Sequence, residues 1–219
     1  VANLAKANKE LQELYDLEGS DKMQILKLLT RLRQLCLEPR LVYDNIDQPS
    51  SKLKACMELI KTMQENKQKV LLFSSFTSVL DLIAEECQKA GITYYMLTGS
   101  TNKEDRRELV SRFQKDDTTV FLISLKAGGT GLNLTSAETV IHFDPWWNVS
   151  AQNQATDRAY RIGQKNNVQV FNLVMKDSVE EKIIELQKRK KELADMFVEN
   201  NSGGLSQMSK EDILSLFTM

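Results

Sequence analysis

The chain has 219 residues, a length that supports one good-sized hydrophobic core or one core with appendages. Its 42% hydrophobic and 27% charged residues, net charge of −1 and strand-length apolar runs are typical of a soluble globular protein and exclude a membrane span or a polycation. The first residues, VANLAKANKE, lack an initiator Met and a secretory signal, which predicts that the chain is part of something longer.

The first 66 residues show helical periodicity. Apolar residues at alternating spacings of three and four predict two helices, which are interrupted around Gly19-Ser20, and Pro39 ends the second. A third predicted helix carries Leu53, Met57 and Ile60 on one face. Three widely spaced cysteines fit neither a disulfide framework nor a metal site, which favours buried, reduced thiols: Cys36, Cys56 and Cys87.

From residue 67 short apolar strands alternate with amphipathic helices. The predicted strands are KVLLF, ITYYML, TVFLIS, TVIHF and VQVFNLV. This alternation is typical of an α/β fold with a parallel sheet that helices cover on both faces. Thr101 and Glu104 have the spacing of a capping box at the start of the helix between the second and third strands.

A long amphipathic helix is predicted after the last strand. Ser178 and Glu181 have capping-box spacing at its start, and an apolar stripe runs from Val179 through Ile183 and Leu186. A linker at 200–204 and a short final helix that begins at Ser209 are predicted after it.

Ligands bind to parallel α/β sheets where strands end and loops begin, and three such loops are unusual here. The first is SLKAGGTGLNL, in which Gly128, Gly129 and Gly131 allow close backbone approach to an anion. It does not match the GxxxxGK[ST] loop, whose Gly-Lys-Ser/Thr occurs nowhere in the chain. The loop alone is therefore not the main triphosphate cradle, and a tight structural turn is the alternative.

The second loop is DPWWNVS, which follows the fourth strand. Two adjacent tryptophans are hard to bury together, so at least one is expected at the surface, where it can contact a sugar, a base or a partner. Burial of both rings is the alternative. His142, the only histidine, lies in the preceding apolar strand and is predicted to be a core residue with no chemical role.

The third segment is QNQATDRAYRIGQK, predicted to form a helix over about 150–160. Arg158 and Arg161 would share one helical face, with Gln154 a turn earlier. Paired guanidinium groups suit a phosphate because each offers a planar fork of donors. Ordinary salt bridging, for example with Asp157, is the alternative.

Taken in this order, the segments resemble the C-terminal lobe of Swi/Snf-type ATPases in helicase superfamily two. The resemblance covers KVLLFSSFTSVLD, YYMLTGSTNKEDRRELVSRFQ, the long run from VFLISLKAGGTGLNL to VMKDSVEEKI, the terminal LSQMSKEDILSLF and the upstream LLTRLRQLCLEPRL. It implies a RecA-like sheet with helices on both faces. The expected division is a helical lead-in at 1–66, the lobe at 67–177, and a brace helix with a short final helix at 178–219.

The resemblance also implies roles for individual residues. The nucleotide is expected to be ATP, with Mg²⁺ held mainly by an absent first lobe. Arg161 is the expected arginine finger, with Arg158 beside it. The residues implied at the nucleotide are Gly129, Gly131, Gln154 and Asp157, and those implied at the DNA are Ser74, Thr98, Gly99, Ser100, Lys126, Thr130 and Trp147.

The implied partners are double-stranded DNA, the N-terminal RecA-like lobe of the same protein and a DNA-bound protein cargo. Two departures from the family pattern stand out: Val149 replaces the usual proline, and CLEPR replaces the Asn-His-Pro common in eukaryotic members. The second favours a bacterial source, with a nucleoid or cytoplasmic location; a eukaryotic source would imply the nucleus. An unwinding helicase of superfamily two and a non-catalytic nucleic-acid-binding module are the alternatives, against which the tryptophan pair and the two arginines argue.

Overall fold

The computed structural model describes residues 22–128, 132–159 and 167–199, with side chains over 26–127, 132–148, 152–159 and 167–189. Within these ranges the chain forms a five-stranded, all-parallel sheet. The strands are β1 Val70–Ser74, β2 Tyr94–Leu97, β3 Val120–Ser124, β4 Thr139–His142 and β5 Gln169–Asn172, in the spatial order β2-β3-β1-β4-β5.

Helices precede, connect and follow the strands, as the alternation in the sequence predicts. They are α1 Lys22–Leu37, α2 Ser51–Glu65, α3 Thr77–Lys89, α4 Lys103–Lys115, the short α5 Leu125–Gly128, α6 Val149–Thr156 and α7 Val179–Glu199, with a 3₁₀ turn at Pro39–Leu41. In the described part of the chain, no helix is both long and apolar enough to cross a bilayer.

Both faces of the three central strands, β1, β3 and β4, are buried, which explains why these strands are largely apolar. Successive strand residues point to opposite faces, so Leu72 joins one core cluster with α2 and α3, whereas Leu71 and Phe73 join the other. On the second face the Phe113 ring of α4 and the Ala155 methyl of α6 pack against the strands. The predicted RecA-like architecture is confirmed.

Helix α2 belongs with the sheet. Leu53, Cys56 and Ile60 of α2 lie in the same cluster as Val70 and Leu72 of β1. The packing therefore groups 51–65 with the lobe, whereas the division expected from the sequence, at residue 67, assigned this helix to the lead-in. The cysteines at 36, 56 and 87 are free and buried, as predicted.

Two helix starts differ in detail from the predicted capping boxes. Asn102, not Thr101, caps α4, because its side-chain oxygen accepts from the backbone N–H groups of Glu104 and Asp105 at 3.0 and 2.8 Å. At α7 the Ser178 hydroxyl accepts from Glu180 N at 3.2 Å, and a Glu181 carboxylate oxygen accepts from Asp177 N at 2.8 Å.

The predicted helix before residue 19, the linker at 200–204 and the final helix lie outside the described residues.

Candidate nucleic-acid and nucleotide interface

The segments singled out in the sequence follow the carboxyl ends of parallel strands and therefore meet at one edge of the sheet. The turn at 98–100 follows β2, Lys126 follows β3 and the loop 144–148 follows β4. Strands β2 and β4 are separated by three inter-strand steps, a span of about 14 Å. The predicted DNA contacts are thus spread across one edge rather than gathered in a pocket.

The turn after β2 presents hydroxyl groups and open backbone. Thr98 N donates to Thr101 Oγ1 at 3.1 Å, and Thr101 N donates to the Thr98 carbonyl at 3.2 Å. The hydroxyl oxygens of Thr98 and Ser100 lie 2.8 Å apart. Gly99 and Ser100 are exposed, and a Cβ at Gly99 would meet nothing within 4 Å. The fixed turn leaves room for a phosphate, so the DNA contacts at 98–100 remain predictions.

Ser74 occupies a different place from the one predicted. Its side chain is fully buried, and its hydroxyl donates to Asp144 Oδ1 at 2.7 Å. The same carboxylate accepts from Ser75 N at 3.0 Å and from the Ser75 hydroxyl. Ser74 therefore joins the ends of β1 and β4 and is not available to DNA, which corrects that prediction.

Arg33 of α1 also contacts Asp144, and sequence reasoning missed it. Its Nη2 donates to Asp144 Oδ2 at 2.9 Å and to Ser75 Oγ at 2.8 Å, and lies 3.4 Å from the Pro145 carbonyl. Burial lowers the pKa of Arg33, and the Asp144 carboxylate opposes that shift. The signal available in the sequence was a lone arginine on the apolar face of a helix, one turn after Leu29.

The tryptophan loop lies between helices α1 and α7. Trp146 is half-buried against the second core cluster. Its backbone N–H donates to Gln152 Oε1 at 3.3 Å, and its backbone carbonyl accepts from the Gln187 side chain. Trp147 is also half-buried and packs with Leu29 and Leu186. Neither ring is wholly core or wholly exposed. Trp147 keeps an accessible part for the predicted DNA contact, but it has a packing role as well.

Helix α6 ends earlier than the sequence predicted. It stops at Thr156, and 157–159 form turns, so Arg158 does not lie on a helical face. Arg158 is only 6% exposed, and its carbonyl accepts from Leu134 N at 3.0 Å. The side chains of Gln154 and Asp157 are exposed. The predicted pairing with Arg161 lies outside the described residues.

The short helix after β3 is fixed by a neighbouring helix. Arg106 Nη2 of α4 donates to the Ala127 carbonyl at 2.8 Å, which connects α4 to the start of the glycine-rich loop. Lys126, which directly precedes Ala127, is exposed. The remaining glycine-rich loop residues predicted to bind nucleotide or DNA, Gly129, Thr130 and Gly131, lie outside the described residues, and their roles stay predictions.

His142 is a buried, neutral residue beneath α6. It is 1% exposed, its ring stacks on Phe73 with centroids 5.6 Å apart, and its Nε2 lies 2.9 Å from Thr156 Oγ1. Burial lowers the pKa of His142 to about 4. It is therefore a core residue, as predicted.

A buried ion pair attaches α7 to α2. Lys52 Nζ lies 2.6 Å from both carboxylate oxygens of Glu180, and both side chains are almost wholly buried. Met175 N donates to the same carboxylate at 2.7 Å. Burial raises the pKa of Glu180 and the Lys52 ammonium opposes that shift. Among the described residues, no group of three His, Cys, Asp or Glu side chains is arranged to hold a metal ion.

Comparison with known proteins identifies the family to which the chain belongs. The model of the helicase conserved C-terminal domain matches residues 51–163, more than half of the chain, so the protein belongs to that family. Within it the chain is the C-terminal lobe of a Swi2/Snf2-type ATPase of helicase superfamily two.

The solved structures support this assignment. The C-terminal domain of the Sulfolobus solfataricus SWI2/SNF2 ATPase matches with a TM-score of 0.74 at 27% identity, covering 97% of this chain and 91% of that one. The core of the same ATPase in complex with double-stranded DNA matches with a TM-score of 0.73 at 31% identity, covering 90% of this chain and 43% of that one.

Curated relatives are much longer. An uncharacterized ATP-dependent helicase of Mycoplasma pneumoniae is 37% identical over 211 residues, which are 96% of this chain and 20% of the relative. The putative ATP-dependent helicase/translocase YwqA of Bacillus subtilis is 37% identical over 205 residues, 90% of this chain and 22% of the relative. The chain thus spans about a fifth of the length of these relatives.

Proposed function

We propose that this chain is the second lobe of an ATP-driven translocase or remodeller that moves on double-stranded DNA. The observation that carries the proposal is the shared sheet edge, along which the hydroxyl-rich turn at 98–100, Lys126 and the tryptophan loop all lie. The similarity to a Swi2/Snf2 core solved with double-stranded DNA supports the same partner. A DNA-bound protein would be the cargo.

The proposed DNA contact relies on hydroxyls and backbone rather than on dense positive charge. The net charge is −1, and the turn at 98–100 offers two hydroxyls beside an open glycine. Neutral donors of this kind position a protein on the phosphate backbone without reading sequence. Such contacts suit a protein that must release and rebind along a duplex.

The proposed role at ATP is to complete a site held mainly by the first lobe. The sequence has no Gly-Lys-Ser/Thr, so this lobe would approach the triphosphate from outside rather than cradle it. Gln154 of α6 and Asp157 directly after it are exposed and would face the triphosphate. Arg161 would donate to the transferring phosphoryl group, where ATP and Mg²⁺ would supply the reacting phosphate and its charge neutralisation.

Closure of the two lobes would connect hydrolysis to movement. Arg161 would stabilise charge on the phosphoryl group only when the lobes approach each other, while other residues of the same lobe hold DNA. Each closure would therefore shift the DNA-bound edge relative to the first lobe. Isolated from that lobe, the chain would lack both the triphosphate cradle and the Mg²⁺ ligands.

The test compares ATP hydrolysis by this chain alone and by the same chain joined to its first lobe. The chain alone is expected to be inactive, and the joined protein should hydrolyse ATP faster with duplex DNA. Arg161→Ala should lower the joined protein's turnover by about 10³–10⁵-fold, as loss of an arginine finger does.

Arg189→Ala, an exposed arginine on α7, is the control and should leave turnover unchanged. DNA-stimulated hydrolysis by the chain alone would contradict the proposal, as would a fall of less than about tenfold in Arg161→Ala. Triplex displacement and strand separation, measured on the same duplexes, would distinguish a translocase from an unwinding helicase.

A further inference from the structure

We propose that Arg33 is a positioning residue that holds the Trp146-Trp147 loop in the conformation in which it meets duplex DNA. The inference rests on the proposed function, because it concerns the same loop. Arg33 belongs to α1, far from the loop in sequence, and its Asp144 contact joins residues separated by 111 positions. Its guanidinium lies where α1, the end of β1 and the loop after β4 meet.

One nitrogen of Arg33 connects both strand ends. Nη2 donates to Ser75 Oγ after β1 and to Asp144 Oδ2 after β4, at 2.8 and 2.9 Å, and lies 3.4 Å from the Pro145 carbonyl. Pro145 directly precedes the two tryptophans. The arginine therefore fixes the point at which the loop leaves the sheet.

The face of the same guanidinium is surrounded by aromatic rings. Its central carbon lies 4.9 Å from the Phe76 ring centroid and 5.8 Å from the centroids of both Trp146 and Trp147. A planar guanidinium can stack on rings while its edge donates hydrogen bonds, whereas a lysine ammonium is a compact point charge. Lysine at this position would keep the charge and lose the shared aromatic contact.

The helices on both sides of the loop give Arg33 its fixed place. Leu29 of α1 packs with Leu186 of α7 and with the Trp147 ring. Gln187 of α7 donates to the Trp146 carbonyl. The loop is thus enclosed between α1 and α7. The Arg33 guanidinium lies on the α1 side of the loop, beside both indole rings.

Loss of the guanidinium should loosen the loop, while the hydrogen bonds of Asp144 still join the ends of β1 and β4. Asp144 would still accept from Ser74 Oγ, Ser75 N and Ser75 Oγ, so its carboxylate would remain hydrogen-bonded. Arg33→Lys also keeps a positive charge beside it, whereas Arg33→Met removes the counter-charge and should lower the free energy of unfolding as well. The two indoles, in contrast, would lose the neighbour that they share. This difference separates a positioning role from a general role in stability.

Tryptophan fluorescence provides a direct measurement, because the only two tryptophans of the chain are Trp146 and Trp147. Arg33→Lys and Arg33→Met are expected to shift emission to longer wavelength and to increase quenching by acrylamide, with the far-ultraviolet circular dichroism unchanged. Arg31→Lys on the same helix, where the guanidinium carbon lies 6.0 Å from the Tyr43 ring centroid, is the matched control. Leu32→Ala, a buried residue of α1, controls for destabilisation alone and should leave emission unchanged in the folded state.

The functional measurement uses the chain joined to its first lobe. Arg33→Lys should raise the duplex concentration for half-maximal ATP hydrolysis by about tenfold, equivalent to about 1.4 kcal/mol, with kcat at saturating DNA little changed. Unaltered emission in both Arg33 variants would overturn the inference, and so would altered emission with an unchanged DNA requirement. If Trp147→Ala also left the DNA requirement unchanged, the proposed DNA contact of the loop would itself be wrong.

Discussion

His142 is a single buried side chain that should make the lobe sensitive to acid. Its Nε2 lies beside Thr156 Oγ1, which in turn donates to the Gln152 carbonyl at 3.3 Å, an arrangement that suits a neutral ring with its proton on Nε2. Within the described residues, Nδ1 has no hydrogen-bond partner. A second proton there would be buried without an acceptor, which explains why burial lowers the pKa of His142 to about 4.

The free energy of unfolding is therefore expected to fall as the pH falls from 6.5 toward 4. The unfolded chain, with a histidine pKa of 6.5, binds a proton in this window and the folded chain does not, so the stability present above pH 6.5 is lost on acidification. The slope from this group is about 1.4 kcal/mol per pH unit. Urea unfolding at pH 7, 6 and 5 measures it.

His142→Asn supplies the comparison for that slope. The raised pKa of Glu180 acts in the opposite direction, because it contributes stability that is lost as pH rises, but it is present in both proteins and cancels in their difference. The variant should be less stable at pH 7 and less dependent on pH. Parallel pH profiles for the two proteins would show that His142 does not titrate in this way.

The residues that sequence reasoning missed share one property: their partners are distant in the chain. Arg33 and Asp144 are 111 positions apart, and Lys52 and Glu180 are 128 apart. No local pattern marks such pairs, since a charged residue in a helix is usually solvated. Ser74 was misassigned for the same reason, because only the packed structure shows that its hydroxyl faces Asp144.

At the scale of elements, the sequence predicted the architecture because the two periodicities are distinct. Five apolar runs became five parallel strands, and the helices between them formed where apolar residues recur every three or four positions. The errors lie at helix ends: the cap of α4 is Asn102, and α6 stops at Thr156. Ends depend on a few local hydrogen bonds that compete closely, so periodicity alone does not determine them.

The attachment of α7 to α2 through Lys52 and Glu180 leads to a prediction about a whole element. Glu180→Gln leaves the Lys52 ammonium buried without its counter-charge, and removal of one partner of a buried pair costs about 3–5 kcal/mol of unfolding free energy. The double variant Lys52→Met/Glu180→Gln removes both charges and should recover most of that loss. Urea unfolding of the wild type, Lys52→Met, Glu180→Gln and the double variant measures the interaction.

The exposed pair Lys182–Glu185 on the same helix, at 3.5 Å, serves as a control. Glu185→Gln should change stability by less than about 1 kcal/mol, because solvent screens the charges. If Glu180→Gln were as mild as this control, the ion pair would not be what attaches α7. A double variant less stable than either single variant would lead to the same conclusion.

At the scale of the molecule, the tryptophan loop is placed to connect three parts of the lobe. It follows β4 at the proposed DNA edge, contacts α1 through Arg33 and Leu29, and contacts α7 through Gln187. A displacement of the loop by DNA would be transmitted to both helices, because the side chains between them are in direct contact. Movement along DNA should therefore depend on this loop more strongly than hydrolysis does.

Trp147→Ala tests that expectation in the protein that contains both lobes. An aromatic contact with nucleic acid contributes about 1–3 kcal/mol, so its loss should slow translocation on duplex DNA. ATP turnover at saturating DNA should fall much less, because Trp147 touches no nucleotide in the proposed arrangement. Triplex displacement and phosphate release, measured side by side on the same duplexes, give the two rates.

Trp147 also packs with Leu29 and Leu186, so the test needs a variant that removes packing but keeps the indole. Leu186→Ala does so, because it removes the aliphatic neighbour from α7 and leaves the aromatic ring in the loop. If Trp147 acts on DNA, its alanine variant should uncouple hydrolysis from movement while Leu186→Ala lowers thermal stability with the two rates still in proportion. Equal loss of both rates in Trp147→Ala, matched by Leu186→Ala, would identify Trp147 as a packing residue only.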